Sequence, residues 1–291
     1  MTRPQDVTGL QSAPRWIVAI TGVYVFVGLV GLYLWHVATQ MSMQLSSAGA
    51  ESLSVVGMAV AEAWLCVLAL RSFPKGAALR PAWLLILLSA SLRAACGVVA
   101  HLFGLGWQPI RWSFPFLSGP IQMALLGAGL LVVVRVLRNS GFRARLGASD
   151  WALAAVVAVA LALAVQVDAG GVAALAGHVL LLALFLEALL LRRSLARMGR
   201  GLVAKCWSAS AIAILMMAFG QAILGVVVRY APAWPVAAFQ RYTSFLAAAA
   251  LALAPAYQVA AQRRATQRGS GKDAGSPEEQ PLLPATSLSG S

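Results

Sequence analysis

Apolar runs long enough to cross a bilayer recur along this chain, and they restrict its fold more than any other feature. The run Ala82–Gly104 is typical, because Arg93 is its one formally charged side chain. A membrane-crossing helix needs about 20 mostly apolar residues. Only helices and closed barrels satisfy their own backbone hydrogen bonds in lipid. The sequence therefore predicts an all-α integral membrane protein.

The composition supports this class. Hydrophobic residues make up 60% of the chain and charged residues 11%, against about 25% charged in a typical soluble domain. The net charge of +13 would suggest nucleic acid as a partner if the protein were soluble. Here the basic residues flank the apolar runs, as they do at membrane surfaces. We therefore expect a lipid bilayer and no nucleic acid as the partner.

The apolar windows predict eight transmembrane helices of similar length. Their ranges are 16–37, 53–70, 82–104, 114–137, 151–167, 170–191, 206–228 and 235–257. The first run is longer than the apolar core of a signal peptide, so we expect a retained helix.

The basic residues predict the orientation of these helices. Alternate connections, counted from the N-terminal segment to the C-terminal tail, carry two, three, four, five and four Lys or Arg residues. The intervening connections carry none, one, none and one. Lys and Arg mark the cytoplasmic side of membrane proteins. Eight spans with both termini in the cytoplasm are therefore predicted.

This topology divides the chain into three parts. Residues 1–15 form a cytoplasmic N-terminal segment, residues 16–257 an eight-helix transmembrane domain, and residues 258–291 a cytoplasmic tail that is basic and then disordered. The Ala/Leu/Val-rich helices suggest a bacterial inner (plasma) membrane. The basic loops are expected to contact anionic lipid headgroups, and a protein partner is a further expectation.

A buried ion pair is predicted between the second and third spans. Glu62 and Arg93 lie about 13 and 16 Å below the same boundary at 1.5 Å per residue, on spans joined by a short connection. Arg93 shares a helix face with Ser89, Gly97 and His101, which follow at intervals of four. The pair either fixes the helix register or forms part of a substrate or proton site.

A second polar set is predicted nearer the outer surface. Gln122, His178, Gln221 and Arg241 each lie about 8–13 Å below the outer boundary. If Arg241 points inward, these groups would line a cavity suited to an anionic or strongly hydrogen-bonding ligand. If it snorkels outward, no such cavity forms. Gly119–Pro120 is expected to loosen the fourth span.

Two other acidic residues are given local roles. Glu187 lies near the cytoplasmic end of its span, and we expect it to pair with Arg192, Arg193 or Arg197. Asp150 stands at the start of a predicted helix, where a carboxylate serves as a cap.

Small residues and thiols inside the spans are expected to serve packing. Glycines in membrane helices allow close approach of neighbours, and isolated buried thiols behave as small hydrophobes. The residues concerned are Gly28, Gly31, Gly127, Gly129, Cys66, Cys96 and Cys206.

The motifs identify no catalytic residue and no metal ligand. The histidines lack HxxxH, HExxH and CxxCH spacing, and no cofactor is expected. A haem held by His36 and His101 is the one cofactor alternative.

Three functions remain open at this point. The favoured one is a non-enzymatic module that senses, anchors or assembles with partners. The second is a transporter or permease of a small solute, with anions among the candidates, that uses the buried Glu and Arg side chains. The third is a membrane-embedded enzyme or haem protein.

Overall fold

The computed structural model describes the backbone of residues 44–103, 117–167, 171–196, 201–230 and 234–269, together with most of their side chains. All regular structure in these ranges is helical, as the apolar runs predicted. The helices are α1 (Gln44–Arg71), α2 (Arg80–Phe103), α3 (Gln122–Asn139), α4 (Ala148–Val167), α5 (Gly171–Leu195), α6 (Leu202–Tyr230) and α7 (Trp234–Gly269). A short π-helical turn, Leu117–Ile121, leads into α3.

Each helix overlaps one of the ranges predicted from the apolar windows. The first predicted range, 16–37, lies outside the described residues. Among the described residues, five helical segments are long and apolar enough to cross a membrane, within α2, the π-turn with α3, α4, α5 and α6. The described fold is therefore all-helical and compatible with a membrane protein.

The ends of two helices differ most from the predicted boundaries. Helix α1 begins at Gln44, ahead of the apolar run that starts near residue 53, and α7 continues to Gly269 rather than stopping at Tyr257. The added turns are rich in Ala, Gln, Ser and Arg, and Ala, Gln and Arg all favour helix. Hydropathy predicts only the apolar part of a helix. Helix propensity extends α1 and α7 into the polar residues beside that part.

The helices form a closed ring with one outlier. Contacts run from α1 to α2, α2 to α3, α3 to α5, α5 to α6, α6 to α7, and from α7 back to α1. Helix α4 packs outside this ring, against α5 and α6. The spatial order therefore departs from the chain order, because α5 takes the place beside α3.

Helix α4 has the composition that its outer position requires. It is apolar around its circumference, which is typical of a helix in lipid. Trp151, Val156 and Val159 are among its most exposed side chains. In a membrane, these side chains would face the acyl chains.

The centre of the ring is packed with large apolar side chains. Trp83 on α2 and Trp207 on α6 are fully buried, with ring centroids 5.2 Å apart. Gly129 lets α3 approach α2 closely, since a Cβ at that position would lie 3.0 Å from Ile86 Cγ1 and 3.1 Å from the Ala82 carbonyl oxygen. The predicted packing role is confirmed for Gly129.

The π-helical turn coincides with Gly119–Pro120. Pro120 is buried within the turn and has no N–H to donate. The widened turn is the irregularity that the Gly-Pro pair predicted at this point. Such turns are frequent at functional sites.

Candidate functional site

The most strongly paired polar group inside the helices is an ion pair between α1 and α2. Arg93 Nη2 lies 2.6 Å from Glu62 Oε1 and 2.6 Å from Glu62 Oε2. The Glu62 side chain is almost completely buried, while a quarter of the Arg93 side chain remains exposed. The predicted Glu62–Arg93 pairing is confirmed.

Both carboxylate oxygens of Glu62 are hydrogen-bonded within the pair, whereas Arg93 keeps one N–H donor without a partner among the described residues. Both carboxylate oxygens of Glu62 accept from Arg93, so the negative charge is matched. Arg93 Nε is buried and has no hydrogen-bond partner among the described residues. The guanidinium therefore retains donor capacity beyond the carboxylate that it neutralises.

Ser89 extends this arrangement from α2 to α3. Its Oγ donates to the main-chain carbonyl oxygen of Gln122 at 2.8 Å. Ser89 and Arg93 stand on one face of α2 but contact different neighbours, α3 and α1. Polar contacts therefore link three consecutive helices, and the contact to α3 is made at its first residue.

The predicted outer polar set is described only in part. His178 Nδ1 lies 2.7 Å from the Ala174 carbonyl oxygen of its own helix, and Gln221 is half-buried. Among the described side chains, no hydrogen bond joins Gln122, His178 or Gln221 to one another. The side chains of His101 and Arg241, like all of His36, lie outside the described residues.

Glu187 differs from its predicted local role. Within the described part of the chain it pairs with neither Arg192 nor Arg193, and Arg197 lies outside that part. The reason is helical geometry: positions i+5 and i+6 are about 140° and 240° round the helix at 100° per residue. Glu187 instead faces Gly127 on α3, where a Cβ would lie 3.5 Å from Glu187 Oε2.

Arg193 is paired with Asp150 at the junction of α4 and α5. Arg193 Nη2 lies 3.0 Å from Asp150 Oδ1, and Arg193 Nε lies 2.8 Å from Asp150 Oδ2. Asp150 Oδ2 also accepts from the Gly147 N–H at 2.8 Å. Asp150 thus caps the start of α4, as predicted, and also joins that start to the end of α5.

One buried polar residue lies just past the predicted end of the transmembrane domain. Gln258 on α7 is almost fully buried, and its Oε1 has no hydrogen-bond partner among the described residues. The predicted cytoplasmic tail begins at residue 258. The signal for its burial was the run Tyr257–Ala261, which keeps apolar neighbours around Gln258.

The described residues thus form an all-helical protein with five helices that could span a membrane and a polar junction between α1, α2 and α3. Comparisons with known protein families, with curated proteins and with solved structures find no match. No group of three or more His, Cys, Asp or Glu side chains suited to a metal occurs in the part of the chain that was searched.

Proposed function

We propose that this protein is a non-enzymatic module of a bacterial inner membrane, with eight spans and both termini in the cytoplasm, that anchors and assembles with a protein partner. The observation that carries the proposal is the Glu62–Arg93 ion pair. Its carboxylate is fully matched within the fold, with both oxygens bound by one guanidinium. A group held in this way orders helices rather than exchanging a ligand.

The neighbouring contacts support a rigid framework. The Ser89 hydroxyl binds the Gln122 carbonyl, so α1, α2 and α3 are joined by directional contacts in addition to apolar packing. Buried polar pairs cost desolvation, and their best-established use is to specify register. A fixed arrangement of helices is what an anchoring surface requires.

The basic end of the bundle supplies the surface for partners. This end is where α1, α3 and α5 finish and where α2, α4 and α6 start. Its exposed basic side chains include Arg71, Lys75, Arg135, Arg138 and Arg192. An acidic protein surface together with anionic lipid headgroups fits this distribution of charge.

The test is purification of a defined complex from the native membrane in mild detergent. We expect a stoichiometric partner that is lost when Lys75→Glu and Arg138→Glu are combined. The matched control is Arg229→Glu near the other end of α6, which should retain the partner. Recovery of the unaltered protein without any partner, or equal loss in both variants, would count against the proposal.

A second candidate function is transport of a small anionic solute. It is favoured by the unpartnered Nε of Arg93 and by the π-helical turn that immediately precedes Gln122. Gln221 and Arg241 would contribute further polar groups. In proteoliposomes, Glu62→Gln and Arg93→Ala should then reduce uptake, and unchanged uptake in both variants would remove this candidate.

A further inference from the structure

Glu187 lies in the interface between α5 and α3, and no residue of α5 accounts for its position there. It lies on α5, eight residues before Leu195, and hence about 12 Å from the end of the helix. Its carboxyl group rests against Gly127 of α3. A Cβ at Gly127 would lie 3.5 Å from Glu187 Oε2 and 3.7 Å from Oε1, and Leu184 Cδ2 lies equally near. The glycine leaves room for the carboxyl group between the two helices.

No described group compensates a negative charge at this position. Glu187 Oε2 is buried and accepts no hydrogen bond from the described residues, and the ion pairs Arg93–Glu62 and Arg193–Asp150 lie elsewhere. Helices α3, α4 and α6 pack against α5. Their charged or titratable residues, with those of α5 itself, are Arg135, Arg138, Asp150, Lys205, Cys206, Arg229, His178, Arg192 and Arg193.

Three of these groups lie away from Glu187 or have another partner. Arg138 shares the face of Gly127 but lies eleven residues on, about 16 Å along α3. His178 lies on the opposite face of α5 from Glu187 and binds the Ala174 carbonyl. Arg193 is bound to Asp150. The half-buried carboxyl group therefore lies against Gly127 of α3 without a counter-ion among the described residues.

An isolated carboxylate in apolar surroundings is costly, and such groups become neutral by taking a proton. We infer that Glu187 is a proton-binding site between α3 and α5, at which the carboxyl group is held in its neutral, protonated form. Glu62 provides the contrast within the same protein, because Arg93 matches its charge. The inference concerns a site separate from that pair, and it holds whether or not the protein assembles with a partner.

A hydrophobic carbodiimide tests this inference directly. Dicyclohexylcarbodiimide adds to a protonated carboxyl group to give an O-acylisourea, which rearranges to a stable N-acylurea. With the full chain in lipid vesicles at neutral pH, peptide mass spectrometry should find the adduct on Glu187 and not on Glu62. Glu187→Gln should abolish the adduct, and Glu62→Gln should leave it in place.

The ionic conditions distinguish a proton from a metal cation. Labelling in sodium chloride should equal labelling in choline chloride when the site binds a proton. Protection by sodium would overturn the inference in favour of a cation site. Labelling of Glu62 to the same extent as Glu187 would also overturn it, because the reagent would then report access rather than protonation.

Infrared spectroscopy keeps the inference testable if helix packing excludes the reagent. The unaltered protein should show the carbonyl stretch of a protonated carboxylic acid at neutral pH. Glu187→Gln should remove that band and Glu62→Gln should retain it. A spectrum in which Glu187→Gln leaves the band unchanged, or in which no such band exists, would overturn the assignment.

Discussion

Glu62 and Glu187 are two acidic side chains within apolar helices, and their surroundings are opposite. Glu62 on α1 has both carboxylate oxygens bound to Arg93 of α2. Glu187 on α5 faces Gly127 of α3, and one of its oxygens is buried without any partner among the described residues. The same side chain thus faces a cation in one interface and a glycine in the other.

The difference teaches how a helical membrane protein accommodates an acid. A carboxylate can keep its charge when a cation and its hydrogen bonds are built beside it, at a cost in desolvation. Where no cation is present, the charge itself must be removed. The two sites should therefore respond in opposite ways to the same substitution.

The largest expected effect is that of Glu62→Gln, which leaves the Arg93 guanidinium buried beside a neutral amide. Breaking a buried pair by removing one partner costs about 3–5 kcal/mol. Thermal denaturation in detergent, monitored by size-exclusion chromatography, should show a large loss of stability. Glu187→Gln is the matched control and should change stability by less than about 1 kcal/mol. Equal losses in both variants would contradict the distinction between the two sites.

Two glycines of α3 provide the next test, Gly127 facing Glu187 and Gly129 facing α2. Gly129→Ala should destabilise the protein by about 1–3 kcal/mol, the usual cost of overpacking, because the new methyl group meets the Ala82 carbonyl oxygen at 3.1 Å. Gly127→Ala should be tolerated, since its methyl group lies 3.5 Å from the Glu187 carboxyl, an ordinary contact distance. The reverse order of stabilities would show that α3 packs more tightly on α5 than on α2.

Removing both charges of the ion pair should cost much less than removing one. Glu62→Leu combined with Arg93→Met replaces a paired charge with apolar groups of similar size, which is often neutral or stabilising. We expect stability within about 1 kcal/mol of the unaltered protein, measured as for Glu62→Gln. A double variant as unstable as Glu62→Gln alone would show that these side chains hold α1 and α2 by shape rather than by charge.

The smallest effect is expected at the exposed pair. Arg193→Lys removes the two-point contact with Asp150, because an ammonium group does not reproduce the fork of guanidinium. Nearly half of the Arg193 side chain is exposed, so solvent weakens the interaction. The melting temperature should fall slightly at low salt and not at high salt, while Arg192→Lys should change neither. A loss of melting temperature that does not depend on salt would show that the Arg193–Asp150 contact behaves as a buried ion pair.

The ion pair between α1 and α2 was predictable because it depends on local features. The two helices are consecutive, their connection is short, and depth along each follows from the rise per residue. Glu62 and Arg93 then had to lie at similar levels. The position of the π-helical turn was equally local, because Gly119–Pro120 interrupts regular backbone hydrogen bonding wherever the helix is placed.

The surroundings of Glu187 were not predictable in the same way. Its chain neighbours Arg192 and Arg193 suggested an ion pair, but Arg193 reaches Asp150 at the start of α4. Whether a cation lies beside Glu187 depends on which helix packs against α5. The helix that faces Glu187 is α3, which is not adjacent to α5 in the chain.

The sequence by itself determined that this chain forms apolar helices and that Glu62 and Arg93 meet, since length, hydropathy and helical rise are properties of single segments and their nearest neighbours. Only the tertiary structure decided that α5 lies beside α3 and that α4 is outside the ring. It thereby decided that Gly127 rather than a cation faces Glu187. Contacts between helices distant in the chain come from packing of whole surfaces, and no residue pattern within one helix specifies its partner.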